Sequence, residues 1–293
     1  VAAWWHTQAN APERIGGVLR RSFDEVMDGQ RTGRFRFEEL RNSEKTYLGT
    51  KVEILLREEF DLALGLPPKK LDYSIAGHTV DCKFTQRWDW MIPVEAVNEL
   101  CVLIRASDAT ALYSFGILRC HPSLLGAENR DRKRSITSAS RQHIRFLWVD
   151  HPMPTNLLRN LDPPALQAIF ALPGRGNGQA RINELFRRVH DEIVRREVTL
   201  TVAQQDDSMK RSRDARIHLQ PEGILILGHQ NDHPRIAHAL DLPVPHKGEF
   251  VATRVVAATP QRLAEQRSQV IIGGSTWVKA RPGDPIEPGP AAY

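Results

Sequence analysis

Leu71–Phe84 reads LDYSIAGHTVDCKF. Two short apolar runs flank Ala76-Gly77, a two-residue turn of the kind that closes a β-hairpin. With that turn, residue i pairs with residue 153 − i, so Asp72 faces Asp81 across the ribbon. Side chains opposed in this way have Cβ atoms about 5 Å apart. Lys83 lies two residues beyond Asp81 and shares its face. The stretch therefore collects two carboxylates and an ammonium on one side of a strand pair.

Opposed like charges destabilise a sheet, so something must compensate. Lys83 relieves part of the repulsion. A divalent cation relieves more, because Mg²⁺ is held by one or two carboxylates completed by water and phosphate oxygens. Such an ion polarises a phosphoryl oxygen and activates water, and Lys83 is placed to orient that water, to help deprotonate it or to steady the developing charge. The plainer reading of a bare D-x-K is a surface ion pair. Asp131-Arg132-Lys133 has the same spacing inside the charge run NRDRKRS and reads as a solvated face. The copy at Asp81 alternates with Val80, Cys82 and Phe84, which gives it a buried frame.

Outward from the hairpin, Ile15, Leu19, Phe23 and Val26 mark a helix over 13–28. DGQRTGRFRF follows, with Arg31, Arg34 and Arg36 in a Gly-punctuated turn. Ser43 reads as the N-cap of a second helix, with Glu44 in its first turn, running to Phe60 and ending at LPPKK. Glu53 lies in that helix. Its spacing suits an i,i+4 pair with Arg57, and a helix packed on the sheet would also aim it at the carboxylate pair. Leu100–Ala106 and Ala111–Cys120 read as strands and Gln142–Trp148 as a helix. The first half is mixed α and β, with a sheet of at least four strands.

DHPMPT, with two prolines, marks a boundary at 150–156 between domains at 1–149 and 157–293. PGRGNGQ (173–179) has no G-K-[ST] ending, which excludes a phosphate-binding P-loop. The pattern predicts a long helix over 180–197, a shorter one near 202–211, strands at 223–228 and 250–257 with a short helix at 234–240 between them, and a frayed Pro/Gly-rich tail. His229, His233 and His238 share no one helical face and do not suggest zinc. The adjacent acids Asp206 and Asp207 diverge on a helix and suit a cap or solvent.

The chain has 293 residues, 41% hydrophobic and 26% charged, with net charge +5 and a pI near 9.3. A polyanionic partner is compatible with that balance. No apolar run reaches the ~18 residues of a membrane span. The start, VAAWWHTQ, is not patterned as a signal peptide, and a first residue other than Met points to a trimmed or processed chain. Cys82, Cys101 and Cys120 are isolated, with apolar neighbours, and read as free thiols of a reducing cytosol.

Beyond the hairpin, the strings KTYLGTKVEILLREEF, DGQRTGRF, GQARINELFRRVH, TVAQQDDSMKR and PEGILILGHQ resemble the NaeI family of type IIE restriction endonucleases, over about residues 15–285. The resemblance implies a PD-(D/E)xK endonuclease domain, a mixed sheet flanked by helices, followed by a CAP-like helix-turn-helix (winged-helix) domain. It implies catalytic roles for Glu53, Asp72, Asp81 and Lys83, with Mg²⁺ on Glu53, Asp72 and Asp81. It further implies a prokaryotic cytoplasmic homodimer cutting both strands of duplex DNA at a GC-rich palindrome, GCCGGC or a near variant. A second copy of the site binds the C-terminal domain as effector, and a companion methyltransferase is expected in the host. Leu71 stands where the family's motif name has Pro. The stretch from Glu53 to Asp72 is longer than the family pattern, and KRSRDARI is shorter.

For a GC-rich site, arginine is the reader of guanine O6 and N7, and lysine the phosphate contact. Arg31, Arg34, Arg87, Lys210, Arg211 and Arg213 are the candidates. Two other classes remain open: a helix-turn-helix regulator with a decayed nuclease domain, and a repair or junction nuclease that reads DNA structure.

Overall fold

The computed structural model describes every residue except 66–70, 173–174 and 266, so the predicted break at LPPKK and the start of PGRGNGQ lie outside the described residues. The architecture is mixed α+β. Two compact units are present: Val1–Met27 with Arg36–Arg159, and Asp28–Phe35 with Asn160–Tyr293. The C-terminal division thus falls after Arg159, a few residues past the DHPMPT boundary. The reason is that β8 (Arg145–Pro152) runs through Asp150, and Met153 is buried in the first core.

Helices α1 (Ala2–Thr7) and α2 (Ala11–Met27) open the first unit, and α3 (Gly29–Thr32) belongs to the second. Helix α4 (Asn42–Phe60) starts one residue ahead of the expected cap. Arg41 is the cap position, and its N–H donates to the Glu44 carboxylate at 2.8 Å. The acid at the third helical position thus reaches back to the N–H of the cap residue, and Ser43 lies inside the first turn.

A five-stranded sheet follows, in the order β1 (Tyr73–Ile75), β2 (His78–Thr85), β4 (Leu100–Ser107), β5 (Leu112–Arg119), β8. Strands β2 and β4 are parallel and the other pairs antiparallel. Gln142–Trp148, expected as a helix, is a short 3₁₀ turn leading into β8. Its apolar residues Phe146 and Trp148 pair across to Gly116 and Phe115 instead. On one face, Val80, Cys82, Val102, Ile104 and Phe115 pack under α2 and α4 through Leu19, Phe23, Val52 and Leu56. The other face carries Cys101, Leu103 and Leu118 against Trp90, Ile92 and Ile136. The last two come from a small sheet of β3 (Met91–Pro93), β7 (Lys133–Ile136) and β6 (Leu125–Glu128). Both faces are covered, which explains the near-continuous apolar run of β4. The unit ends within α5 (Leu157–Asn160), at Arg159.

In the second unit, α6 (Pro163–Ile169) and α7 (Gly178–Arg188) precede β9 (Ile193–Arg195), α8 (Arg196–Ala203) and α9 (Ser208–Leu219). The helix expected over 180–197 therefore ends at Arg188, and Ile193 is in a strand. The helix expected near 202–211 is centred on the Gln204–Asp207 turn between two helices. Gln204 takes the left-handed conformation at φ 53°. The buried Arg181 guanidinium donates to the carbonyls of Val202 and Ala203 at 2.6 and 2.7 Å, which satisfies the free C-terminal end of α8. Thr199 Oγ1 donates across to Ser208 Oγ at 3.2 Å, tying the two helices together.

A sheet in the order β10 (Ile224–Leu227), β11 (Glu249–Ala257), β13 (Ser275–Lys279), β12 (Gln269–Ile272) completes the unit, with β9 also on β11. Helices α10 (His233–Ala239) and α11 (Pro260–Ala264) connect its strands. The tail, expected to fray, is tied down. Gly289 exchanges hydrogen bonds with Gln220, and Tyr293 Oη accepts the Ile226 N–H at 2.9 Å. Its prolines have no N–H to satisfy, and the carbonyls of Asp284 and Pro285 accept from Arg254.

Candidate active site

The hairpin has the register read from its turn: Tyr73 faces Val80, Ser74 faces Thr79 and Ile75 faces His78. Ala76 and Gly77 both have positive φ, 50° and 76°, as a type I′ turn requires. The ladder stops at Tyr73. Asp72 would be the next partner, opposite Asp81, but it turns inward and Oδ2 accepts the Cys82 N–H at 2.7 Å. Pairs in an antiparallel ladder alternate, and Cys82 is a hydrogen-bonded position. The Asp72 carboxylate thus stands where the carbonyl of residue 71 would continue the ladder.

Asp81 is buried, with 4% of its surface exposed. Lys83 Nζ lies 2.6 Å from Asp81 Oδ2 and donates to the Cys82 carbonyl at 3.1 Å. The Asp81–Lys83 contact is close but off hydrogen-bond alignment, so Oδ2 is paired by charge and left without an aligned donor. Burial pushes the Asp81 carboxyl up to about 7, with Asp72 adding to the rise and Lys83 opposing it. Burial alone would lower the Lys83 ammonium, but the Asp81 carboxylate overrides it and holds the group above its ordinary value.

Glu53 arrives from α4. The Tyr73 hydroxyl donates to its backbone carbonyl at 2.8 Å and fixes that turn of helix against β1. Burial raises the Glu53 carboxyl, and Asp72 raises it further, while Lys83 and Arg57 work against the rise. Glu53, Asp72, Asp81 and Lys83 therefore form one electrostatic cluster. Among the described residues, no three His, Cys, Asp or Glu side chains form a ready-made metal cage. The donor set here is oxygen only, partly buried and mutually repelling, with one oxygen lacking an aligned donor. It fits a hard divalent ion that keeps water ligands.

Arg87 is exposed in the bend just after β2, its N–H donating to Thr85 Oγ1. Arg31 and Arg34 are in the second unit, with α9. On that helix Lys210 pairs with Asp214 and Arg211 with Asp207, at 2.5 and 2.8 Å. Lys210, Arg213 and the exposed Ile217 recur at helical spacing on the solvent face, while Ser208, Ser212, Ala215 and Leu219 are buried. Sequence reading missed Ile217, although a large apolar residue inside a basic helix is itself a signal. It also missed Tyr73, whose role depends on a helix twenty residues away. Asp131 is exposed in a turn, as its charge run indicated. His233 Nδ1 accepts the Gly228 N–H and Nε2 donates to the Tyr293 carbonyl, so both ring nitrogens are occupied within the fold.

Comparison with known proteins meets this geometry from the other side. The family model described as restriction endonuclease NaeI matches residues 2–288. The type II restriction enzyme NaeI of Lentzea aerocolonigenes is 47% identical over 286 residues, covering 95% of this chain and 88% of that protein. The chain is thus a restriction endonuclease, a site-specific deoxyribonuclease. Within that class, the chain belongs to the NaeI family.

Proposed function

We propose that the chain is a Mg²⁺-dependent type II restriction endonuclease that works as a homodimer. It hydrolyses both strands of duplex DNA at a GC-rich palindrome, GCCGGC or a near variant. The observation that carries this reading is the cluster of Asp72, Asp81 and Lys83 on one rigid hairpin, joined by Glu53. Asp72 and Asp81 would hold the ion first, with Glu53 as the third carboxylate of the set.

Bound Mg²⁺ supplies positive charge against the scissile phosphate. The protein's own groups do the rest. Asp72 is locked by the Cys82 N–H, so its free oxygen is held in place without rotamer search. Lys83 lies against Asp81, which holds its ammonium above the ordinary value and places that charge to steady the phosphoryl oxygens. Water adds to phosphorus and releases a proton to solvent, and the ester P–O bond to one deoxyribose oxygen breaks. That oxygen leaves as a hydroxyl after taking up a proton from solvent, and Lys83 offsets the charge that builds on the non-bridging oxygens.

The second unit is read as a winged helix: α7, then the α8–turn–α9 pair, with β9, β10 and β11 as the small sheet. α9 takes the place of the recognition helix, its exposed Lys210 and Arg213 facing a second copy of the recognition sequence. Arg87, beside β2, serves the first copy. A regulator with a decayed nuclease domain is disfavoured by the full set of Glu53, Asp72, Asp81 and Lys83.

The deciding experiment is digestion of a sequenced plasmid with Mg²⁺ and mapping of the fragment ends. One discrete cut sequence supports the reading. Random nicks, or cuts confined to junctions, would sink it.

A further inference from the structure

The segment Asp28–Phe35 lies in the N-terminal half of the chain and folds with the C-terminal unit. It is built in rather than draped. An added Cβ on Gly29 would stand 2.1 Å from Thr201 Oγ1 and 2.8 Å from Thr201 Cγ2, so α3 sits directly on α8 and only glycine allows the approach. Gln30 Nε2 donates to the Asp206 carboxylate in the α8–α9 turn. Phe35 stacks on Phe170, centroids 5.9 Å apart and planes 4° from parallel.

A groove of about 670 Å³ lies beside the turn, and the Gln30–Asp206 contact is part of its wall. Gln30 and Arg31 line it from the segment; Gln204, Asp206, Asp207 and Arg211 line it from the helix pair. The lining contains no apolar side chain. It offers guanidinium and amide donors together with carboxylate acceptors. A bare phosphate site would exclude the acids. A G·C base edge presents both kinds of group, O6 and N7 acceptors on guanine and an N4 donor on cytosine. Arg31 is mostly exposed, with Asp28 at 3.0 Å to restrain it.

The geometry points to Asp28–Phe35 as a reading arm of the second DNA site, in which Arg31 contacts a guanine of the effector duplex beside the N-terminal end of α9. This deepens the reading of α8–α9 as a helix-turn-helix and rests on it. Arg31 thereby serves the effector copy and not the copy being cut.

The test uses the full chain, Mg²⁺, a substrate with one recognition site, and an uncleavable duplex carrying the same palindrome. The readout is the duplex concentration giving half-maximal stimulation, each protein normalised to its own unstimulated rate. Arg31→Ala raises that concentration by about ten- to a hundredfold, the value of one bidentate guanine contact. Replacing one guanine of the duplex by 7-deazaguanine weakens the response of the wild type and leaves Arg31→Ala unchanged, which a structural role for Arg31 would not produce. If Lys210→Ala and Arg213→Ala shift the response while Arg31→Ala does not, the arm is refuted and the helix-turn-helix stands. If Arg31→Ala changes only the KM of unstimulated cleavage, the segment serves the first copy and the inference fails. A wild type unresponsive to the duplex, or α9 variants without effect, overturns the two-site reading and the arm together.

Discussion

The Asp72 carboxylate accepts the backbone N–H of Cys82 at 2.7 Å, in place of a main-chain carbonyl. One residue thus both ends the β1–β2 ladder and presents a charge to Asp81. The two duties separate by substitution. Asp72→Asn keeps an acceptor for Cys82 and loses the charge, so cleavage falls below detection with stability near wild type. Asp72→Ala also strands a buried N–H and costs about 1–3 kcal/mol in urea unfolding. Equal stability of the two variants would contradict this division.

Asp81→Asn and Lys83→Ala each remove cleavage, by at least about 10²–10³-fold in rate, while binding of a duplex carrying the recognition site survives in a gel-shift assay. An Asp81→Asn protein that linearised plasmid at the wild-type rate would refute the assignment.

Glu53 carries a carboxyl raised by burial and by Asp72. Glu53→Gln removes that repulsion. Its melting temperature in EDTA is expected to stay level or rise, and the extra stabilisation given by Mg²⁺ to shrink, since a ligand that binds the native state stabilises it. A large drop in EDTA alone would show Glu53 to be a structural residue.

Burial lowers both His190 and His233 below the ordinary histidine value. Between that lowered value and about 6.5 the unfolded chain holds more protons than the folded one. The stability is therefore fully present above about pH 6.5 and declines as pH falls through the lowered range. Asp81 has the opposite sign, since its raised carboxyl favours the folded state as pH drops. Melts of the Asp81→Asn protein at pH 7.5, 6.5 and 5.5, compared with the same protein also carrying His190→Gln, read the histidine contribution as the decline at low pH that the second substitution lessens. A flat profile would contradict it.

Tyr293→Phe deletes the acceptor for the buried Ile226 N–H and is expected to destabilise the second unit by about 1–3 kcal/mol. Denaturant-dependent amide hydrogen exchange of peptides from residues 160–293 reads that unit.

The hairpin was legible because its information is local: a turn dipeptide sets register, and register sets which charges meet. The strands β4, β5, β10 and β11 were legible for a similar reason, as compact bulky runs. Helix ends in the second unit were not. The break at Gln204 has neither Gly nor Pro, and it is held by Arg181 from the preceding helix. Arg188 ends α7 ahead of Asp191, which takes positive φ without a glycine signal. The Gln142–Trp148 stretch has apolar residues on successive positions, which fits either period, and pairing with β5 decided it. For the site, spacing set the hairpin trio, but the inward turn of Asp72 and the Tyr73 clamp on Glu53 needed coordinates. The proline-rich tail was misjudged from composition alone, because composition does not show that Gln220, Ile226 and Arg254 await its polar groups.

The polypeptide passes from one unit to the other three times, after Met27, after Phe35 and after Arg159. Neither unit is therefore a contiguous cassette of the gene. A recombination event that exchanged everything beyond codon 159 would import new copies of α6 to α9 and leave Gln30 and Arg31 behind, matched to the module that had been lost. Chimeras between relatives are expected to work only when codons 28–35 travel with the C-terminal part. Codons 28–35 and the C-terminal part are obliged to be inherited together.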